Sequence, residues 1–293
     1  MQHLTQQPRC YSRRSFLRST ATLTSALALS ATPLGTSLAQ SRQVERPGLQ
    51  LYTLRNEMAA DFPGTLARVA ELGYREMEFA GYFERSPAQV RTLLDANGLT
   101  SPAAHIPLNA VRDNLDAMIE SAHTLGQRYI VIPFLQPNER SYDDYQRLIE
   151  TLNSAGEAAR AAGLKLGYHN HDFEFVESNG QIPYDMILEQ TDPALVDIEL
   201  DLYWISRAGV DPLPYFEQHP GRFTMLHVKD MGTNGEMVDV GHGTINFAAI
   251  FSHQQRAGFE HFFVEHDRPA DGLVSVARSI DSLSKLRYLH RQY

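Results

Sequence analysis

From Gly48 onward, short apolar runs alternate with longer amphipathic ones, and the alternation occurs eight times. The apolar runs read as strands over Gly48–Thr53, Tyr74–Ala80, Leu99–Ile106, Tyr129–Phe134, Leu164–His169, Leu195–Leu202, Phe223–Val228 and Phe259–Glu265. Between them, apolar residues at helical spacing predict helices over Thr65–Leu72, Pro87–Ala96, Asn109–Leu125 and Tyr142–Ala162, and later over Tyr184–Gln190, Pro212–Gln218, Phe247–Arg256 and Leu273–His290. The first four helices each run into a glycine (Gly73, Gly98, Gly126, Gly163), the residue that takes the left-handed conformation closing a helix. Eight strand–helix units in about 250 residues have the length and order of a single-domain (β/α)8 barrel. An open doubly wound sheet would normally carry a glycine-rich phosphate loop after an early strand, and the sequence has none.

In such a barrel the carboxyl ends of the strands build the site. The fifth strand runs into Tyr168-His169-Asn170-His171-Asp172-Phe173-Glu174. In the sixth, Asp197, Glu199 and Asp201 alternate and share a face, with Asp201 nearest the exit. The seventh runs into His227-Val228-Lys229-Asp230 and the eighth into Glu265-His266-Asp267. Glu174, Asp201, His227 and Glu265 thus follow one another at intervals of 27, 26 and 38 residues, about one strand–helix unit each. Any one of these acids could simply cap a helix or pair with a cation at the rim, but four at consecutive strand ends point to one site. Three carboxylates and one imidazole make a hard, anionic centre suited to a single divalent ion, Mn²⁺, Mg²⁺, Co²⁺ or Zn²⁺, with positions left for substrate oxygens.

Composition narrows what such a site meets. Ser12-Arg13-Arg14-Ser15-Phe16-Leu17-Arg18, followed by a mildly apolar, uncharged stretch to Gln40, reads as a twin-arginine export signal over residues 1–39, cleaved after Ser37-Leu38-Ala39, with the barrel over 40–293. The expected location is the periplasm or beyond, with no membrane attachment after cleavage and export in a folded, metal-loaded state. Residues 1–39 hold four arginines and no acid, which leaves 22 basic against 35 acidic residues, a net −13, in the remainder. That balance argues against a nucleic-acid surface. Cys10 is the only cysteine and lies in the signal, so a metal must sit on His and carboxylate ligands.

Gly48-Leu49-Gln50-Leu51-Tyr52-Thr53-Leu54-Arg55, the His169–Glu174 segment, Asp201-Leu202-Tyr203-Trp204, His227-Val228-Lys229-Asp230 and Val264-Glu265-His266-Asp267 together resemble the xylose isomerase-like superfamily. Within it they look like the sugar phosphate isomerase/epimerases, relatives of ketose 3-epimerases, inosose dehydratases and 3-keto-glycoside lyases. The resemblance implies a divalent metal on Glu174, Asp201, His227 and Glu265, a sugar or glycoside as substrate, and a homo-oligomer. Ketose 3-epimerases read Glu-x-x-Asn-x-x-Glu at the fifth strand, where this chain has Tyr168, His171 and Glu174, so their two-glutamate proton exchange does not carry over.

The residues present suit removal of a proton between a carbonyl and a neighbouring hydroxyl, with His169 or His171 as base. Reprotonation gives isomerisation or epimerisation; expulsion of a β-substituent gives a lyase or dehydratase. Lys229 either stabilises the enolate oxygen or forms a rim salt bridge with Asp230. His105, Trp204, Tyr168 and His242, the last in a tight Gly241-His242-Gly243 turn, are candidate substrate-binding residues. The alternative class is a barrel that binds a sugar in the periplasm without turning it over.

Overall fold

The computed structural model describes residues 41–289 and 291, so the expected export signal lies outside the described residues. Eight parallel strands close into a barrel: β1 Gly48–Gln50, β2 Glu76–Phe79, β3 Thr100–His105, β4 Tyr129–Ile132, β5 Lys165–His169, β6 Val196–Asp201, β7 Met225–Val228 and β8 His261–Val264. Each strand pairs with the next in sequence, and β8 closes on β1 through Gly48↔Phe263 and Leu49↔Val264. The expected single-domain barrel is therefore present. Among the described residues, no helix is long and apolar enough to cross a membrane.

Alternation along each strand sorts its side chains into two environments. Leu49, Met77, Phe79, Ile130, Ile132, Leu166, Tyr168, Ile198, Leu200, Leu226, Val228 and Val264 face outward and join the helices in the main hydrophobic core. The residues between them fill the lumen. There Ala103, Tyr129, Val131, Met225 and Phe263 form a separate apolar plug. Gly167 belongs to this layer; a Cβ on it would lie 3.1 Å from Met225 Cε and 3.2 Å from Val131 Cγ2, so the plug is packed against bare backbone.

The helices start and stop where local chemistry directs. Ser86 with Gln89, and Ser141 with Asp144, form reciprocal capping boxes ahead of Pro87–Ala96 and Tyr142–Ala161. Gly73, Gly98, Gly126 and Gly163 all adopt positive φ. Several expected boundaries move; the last helix, for one, runs Gly272–Lys285 and stops short of His290. The first strand stops at Gln50, because the Gln50 side chain accepts from Tyr52 N–H and turns the chain into the 3₁₀ segment Leu51–Leu54 and the helix Arg55–Ala60. The sixth strand stops at Asp201, whose carboxylate caps the short helix Leu202–Arg207. The expected Phe247–Arg256 helix is two pieces, Phe247–Phe251 and Gln254–Ala257. Between β7 and β8 a two-stranded ribbon, Asp230–Met231 with Met237–Val238, rises from the barrel.

Candidate active site

Above the apolar plug the lumen carries two polar layers. The upper one forms where β5 to β8 end. His169, Asp201, His227 and Glu265 are all buried, and one ligand atom from each lies within 4.8 Å of the others. His169 Nδ1 is 3.0 Å from the Pro133 carbonyl, to which it must donate, so its Nε2 carries the lone pair and faces Asp201 Oδ2 at 3.1 Å. Asp201 is held from both sides: its N–H donates to Asn170 Oδ1, and its Oδ1 accepts from Trp204 N–H at 2.9 Å. His227 Nδ1 lies 2.7 Å from Glu265 Oε2 and 3.7 Å from Asp201 Oδ2. Despite that proximity, His227 Nδ1 and Glu265 Oε2 make no aligned hydrogen bond.

Lys229, 2% exposed, extends into the same layer. Its Nζ is 2.9 Å from Asp201 Oδ2, 2.7 Å from Glu265 Oε2 and 2.8 Å from Asp267 Oδ1. Burial alone would lower the Lys229 pKa and raise those of Asp201 and Glu265, but their mutual attraction wins. Lys229 is held well above its ordinary value and the two acids well below theirs. Burial would lower the His227 pKa, but Glu199 and Glu265 hold it well above its ordinary value, so its imidazolium is the second positive charge beside Lys229. A divalent cation bound here would replace that charge, leaving His169 and His227 neutral.

The lower layer is Gln50, Glu78, His105 and Glu199, and its two carboxylates meet the other nitrogen of His227. His227 Nε2 is 2.7 Å from Glu78 Oε2 and 3.2 Å from Glu199 Oε2, and His105 Nε2 is 2.7 Å from Glu199 Oε2. Burial, then the nearby Glu199 charge, pushes Glu78 up to about 7, while His227 and His105 overcome burial to hold Glu199 well below its ordinary value.

The rim over the upper layer is aromatic. The His171 ring stands 5.0 Å from Phe134, 5.4 Å from Phe173 and 5.1 Å from Trp204. Burial first, then the charges of His169 and Lys229, push His171 down to about 2, so it stays neutral. His171 Nδ1 and Trp204 Nε1 are both buried without a hydrogen-bond partner.

Residues 66–286 match the model of a family described as "xylose isomerase-like TIM barrel". The chain belongs to that family. It is 26% identical over 189 residues to an inosose dehydratase of Geobacillus kaustophilus, an alignment covering 57% of this chain and 61% of that protein. Among solved structures it is similar to a sugar phosphate isomerase/epimerase from Parabacteroides distasonis, with a TM-score of 0.69, 28% identity, and coverage of 84% of this chain and 96% of that one. The IOLI protein, solved with a bound zinc atom, shares the fold at a TM-score of 0.64 and 15% identity over 81% of this chain and 96% of that one.

Within this member of the family, Asp201, His227 and Glu265 meet as their positions at strand ends suggested, and the fourth partner is His169 rather than Glu174. Glu174 sits in the turn Phe173–Phe175, fully buried, accepting from Tyr168 O–H at 2.7 Å and from His171 N–H at 2.8 Å. Tyr168 is also fully buried and alternates outward from the lumen, so it backs Glu174 instead of lining the mouth. His169 has one nitrogen bound to the Pro133 carbonyl and the other facing Asp201. His105 lies in the lower layer, its side chain 10% exposed. His242 is exposed on a loop that Asp230 ties down by accepting from the N–H groups of Met231, Gly241, Gly243 and Ile245. The expected Lys229–Asp230 pair is therefore absent: Lys229 points into the lumen and Asp230 into this loop.

Glu78 and Gln50 were not singled out from the sequence, and Glu199 only as sharing a face with Asp201. The signal was present in Glu76-Met77-Glu78 and Asp197-Ile198-Glu199, where acids at every second position of a barrel strand must face the lumen.

Proposed function

We propose that this chain is an enzyme of the sugar isomerase/epimerase or inosose dehydratase type, which removes a proton next to the carbonyl of a polyhydroxy ketone. His169, Asp201, His227 and Glu265 are the residues that would hold one divalent ion. The observation that carries the reading is the convergence of their four donor groups, one atom from each within 4.8 Å of the others. When bound, such an ion polarises a carbonyl and acidifies the neighbouring C–H. The names of the Geobacillus and Parabacteroides relatives support a cyclic or open-chain polyol ketone as the substrate class.

The chain's own groups supply the rest. His171, with Nδ1 unpaired at the rim, is the residue placed to accept the proton; burial and the charges of His169 and Lys229 hold its pKa down to about 2, so substrate binding must raise it for the ring to work as a base. Lys229 is held in the protonated form, which excludes it as a base; its three N–H groups meet Asp201, Glu265 and Asp267, and an ion taking the first two carboxylates would free N–H groups for a developing oxyanion. Trp204 presents both an apolar ring and an unpaired N–H, and with Phe134 it offers a sugar one face to stack on and one hydroxyl partner. Arg13-Arg14 and the uncharged stretch after them support export to the periplasm, which cell fractionation checks.

The test is ¹H NMR in D₂O of the Mn²⁺-supplemented protein with keto-inositols, simple ketoses and 3-keto-glucosides. Deuterium appearing beside the carbonyl is the expected result, and the product then separates epimerisation from loss of water or of a glycosyl substituent. Metal-loaded protein that exchanges no proton on any of these ketones would remove the reading in favour of a sugar-binding protein.

A further inference from the structure

His227 stands between the two polar layers, fully buried, with one ring nitrogen in each. With an ion on one nitrogen an imidazole keeps a single N–H on the other, so the acceptor that holds this N–H decides which nitrogen is free for the ion. The lower layer has a fixed polarity that can be traced from the backbone. Tyr52 N–H donates to Gln50 Oε1 at 3.0 Å, which leaves the Gln50 amide nitrogen to donate to Glu78 Oε2 at 2.9 Å. Glu78 Oε2 is therefore an acceptor, and it lies 2.7 Å from His227 Nε2. Glu199 Oε2, paired with His105 Nε2 at 2.7 Å, offers a second acceptor to the same nitrogen at 3.2 Å.

We propose that Glu78 and Glu199 are positioning residues that hold the proton of His227 on Nε2 and so present the Nδ1 lone pair to the upper layer. This rests on the reading that the upper layer holds the divalent ion. Glu78, His105, Glu199 and His227 also converge closely enough to hold an ion, and their nitrogen-to-oxygen separations, 2.7 and 3.2 Å around His227 and 2.7 and 3.6 Å around His105, are those of paired acids and imidazoles. The number of ions bound per chain separates the two arrangements. The partner nitrogen of a ligating imidazole is commonly fixed by a carboxylate in this way.

The experiment measures Mn²⁺ and Co²⁺ binding to the full chain by calorimetry, with the visible spectrum of the Co²⁺ form, for wild type, Glu78→Gln, Glu199→Gln and Glu78→Gln/Glu199→Gln. A glutamine amide can donate to Nε2 and turn the N–H of His227 toward the ion. Gln50→Met loosens Glu78 without changing any charge and stands in should the Glu variants not fold. Asp197→Asn alters a lumen carboxylate bonded to Lys165 that has no contact with His227, and controls for a merely structural effect. Expected are one ion per wild-type chain, an affinity roughly 10–100-fold lower with a shifted Co²⁺ spectrum in the double variant, a smaller loss in Gln50→Met, and no change in Asp197→Asn. Glu variants, or Gln50→Met in their place, that bind as tightly with an unchanged spectrum would overturn the inference. So would a second ion per chain that disappears in Glu199→Gln. Wild-type protein that takes up no ion would instead overturn the metal-centre reading.

Discussion

Replacing Glu174 by glutamine separates two roles for the one acid that sequence and structure assign differently. Glu174 is fully buried, and burial raises its pKa from 4.5 to about 7, although Tyr168 O–H and His171 N–H both favour its charged form. A carboxyl group whose pKa is raised on folding keeps its proton in the native state longer than in the unfolded chain. Stability is therefore lost as pH climbs from the unfolded value through the folded one. With those two values, the loss amounts to about 1 kcal/mol at pH 5 and about 3 kcal/mol at pH 8. The glutamine side chain cannot ionise and keeps the shape; its oxygen can accept from His171 N–H while its NH2 donates to the Tyr168 oxygen, whose hydroxyl turns. Urea unfolding at both pH values should show Glu174→Gln gaining on wild type by about 2 kcal/mol from pH 5 to pH 8. The variant should also bind its metal like wild type. A stability difference that does not change with pH would show that Glu174 is already ionised in the fold, and loss of the ion would restore it as a ligand.

Three further outcomes are expected. Lys229→Met removes the only ammonium among Asp201, Glu265 and Asp267. It should destabilise the metal-free protein by about 3–5 kcal/mol, with much of the loss recovered by saturating Mn²⁺, as followed by thermal unfolding. Asp230→Ala takes an acceptor from four backbone N–H groups, and hydrogen exchange should accelerate in residues 241–245 with a global loss of roughly 3 kcal/mol. His171→Ala should keep its ion by elemental analysis while turnover falls about 100- to 10,000-fold; unchanged turnover would remove His171 as the proton acceptor.

The barrel was legible because each strand is an apolar run and each early helix stops at a glycine. Asp201, His227 and Glu265 were legible for a related reason: each closes such a run, and a strand end in a barrel has one place to go. Residues in the turn after a strand were not. Whether Glu174 folds back against Tyr168 or forward over the lumen depends on the 3₁₀ turn at Phe173–Phe175, which no periodicity announces. The preceding residue parity, by contrast, was decisive and underused. His169 faces the lumen and Tyr168 faces away because alternate residues of β5 must, and the same rule places Glu78 and Glu199 beneath His227. What parity cannot supply is the Asp230 loop, where one carboxylate gathers N–H groups up to fifteen residues away in sequence.

An anomalous difference map from crystals of the Mn²⁺- or Zn²⁺-loaded protein tests the central claim most directly. The account predicts one strong peak at the carboxyl end of the barrel, roughly 2.0–2.2 Å from His169 Nε2, His227 Nδ1 and an oxygen each of Asp201 and Glu265. A peak coordinated by Glu174, or no peak within reach of His227 Nδ1, would contradict it.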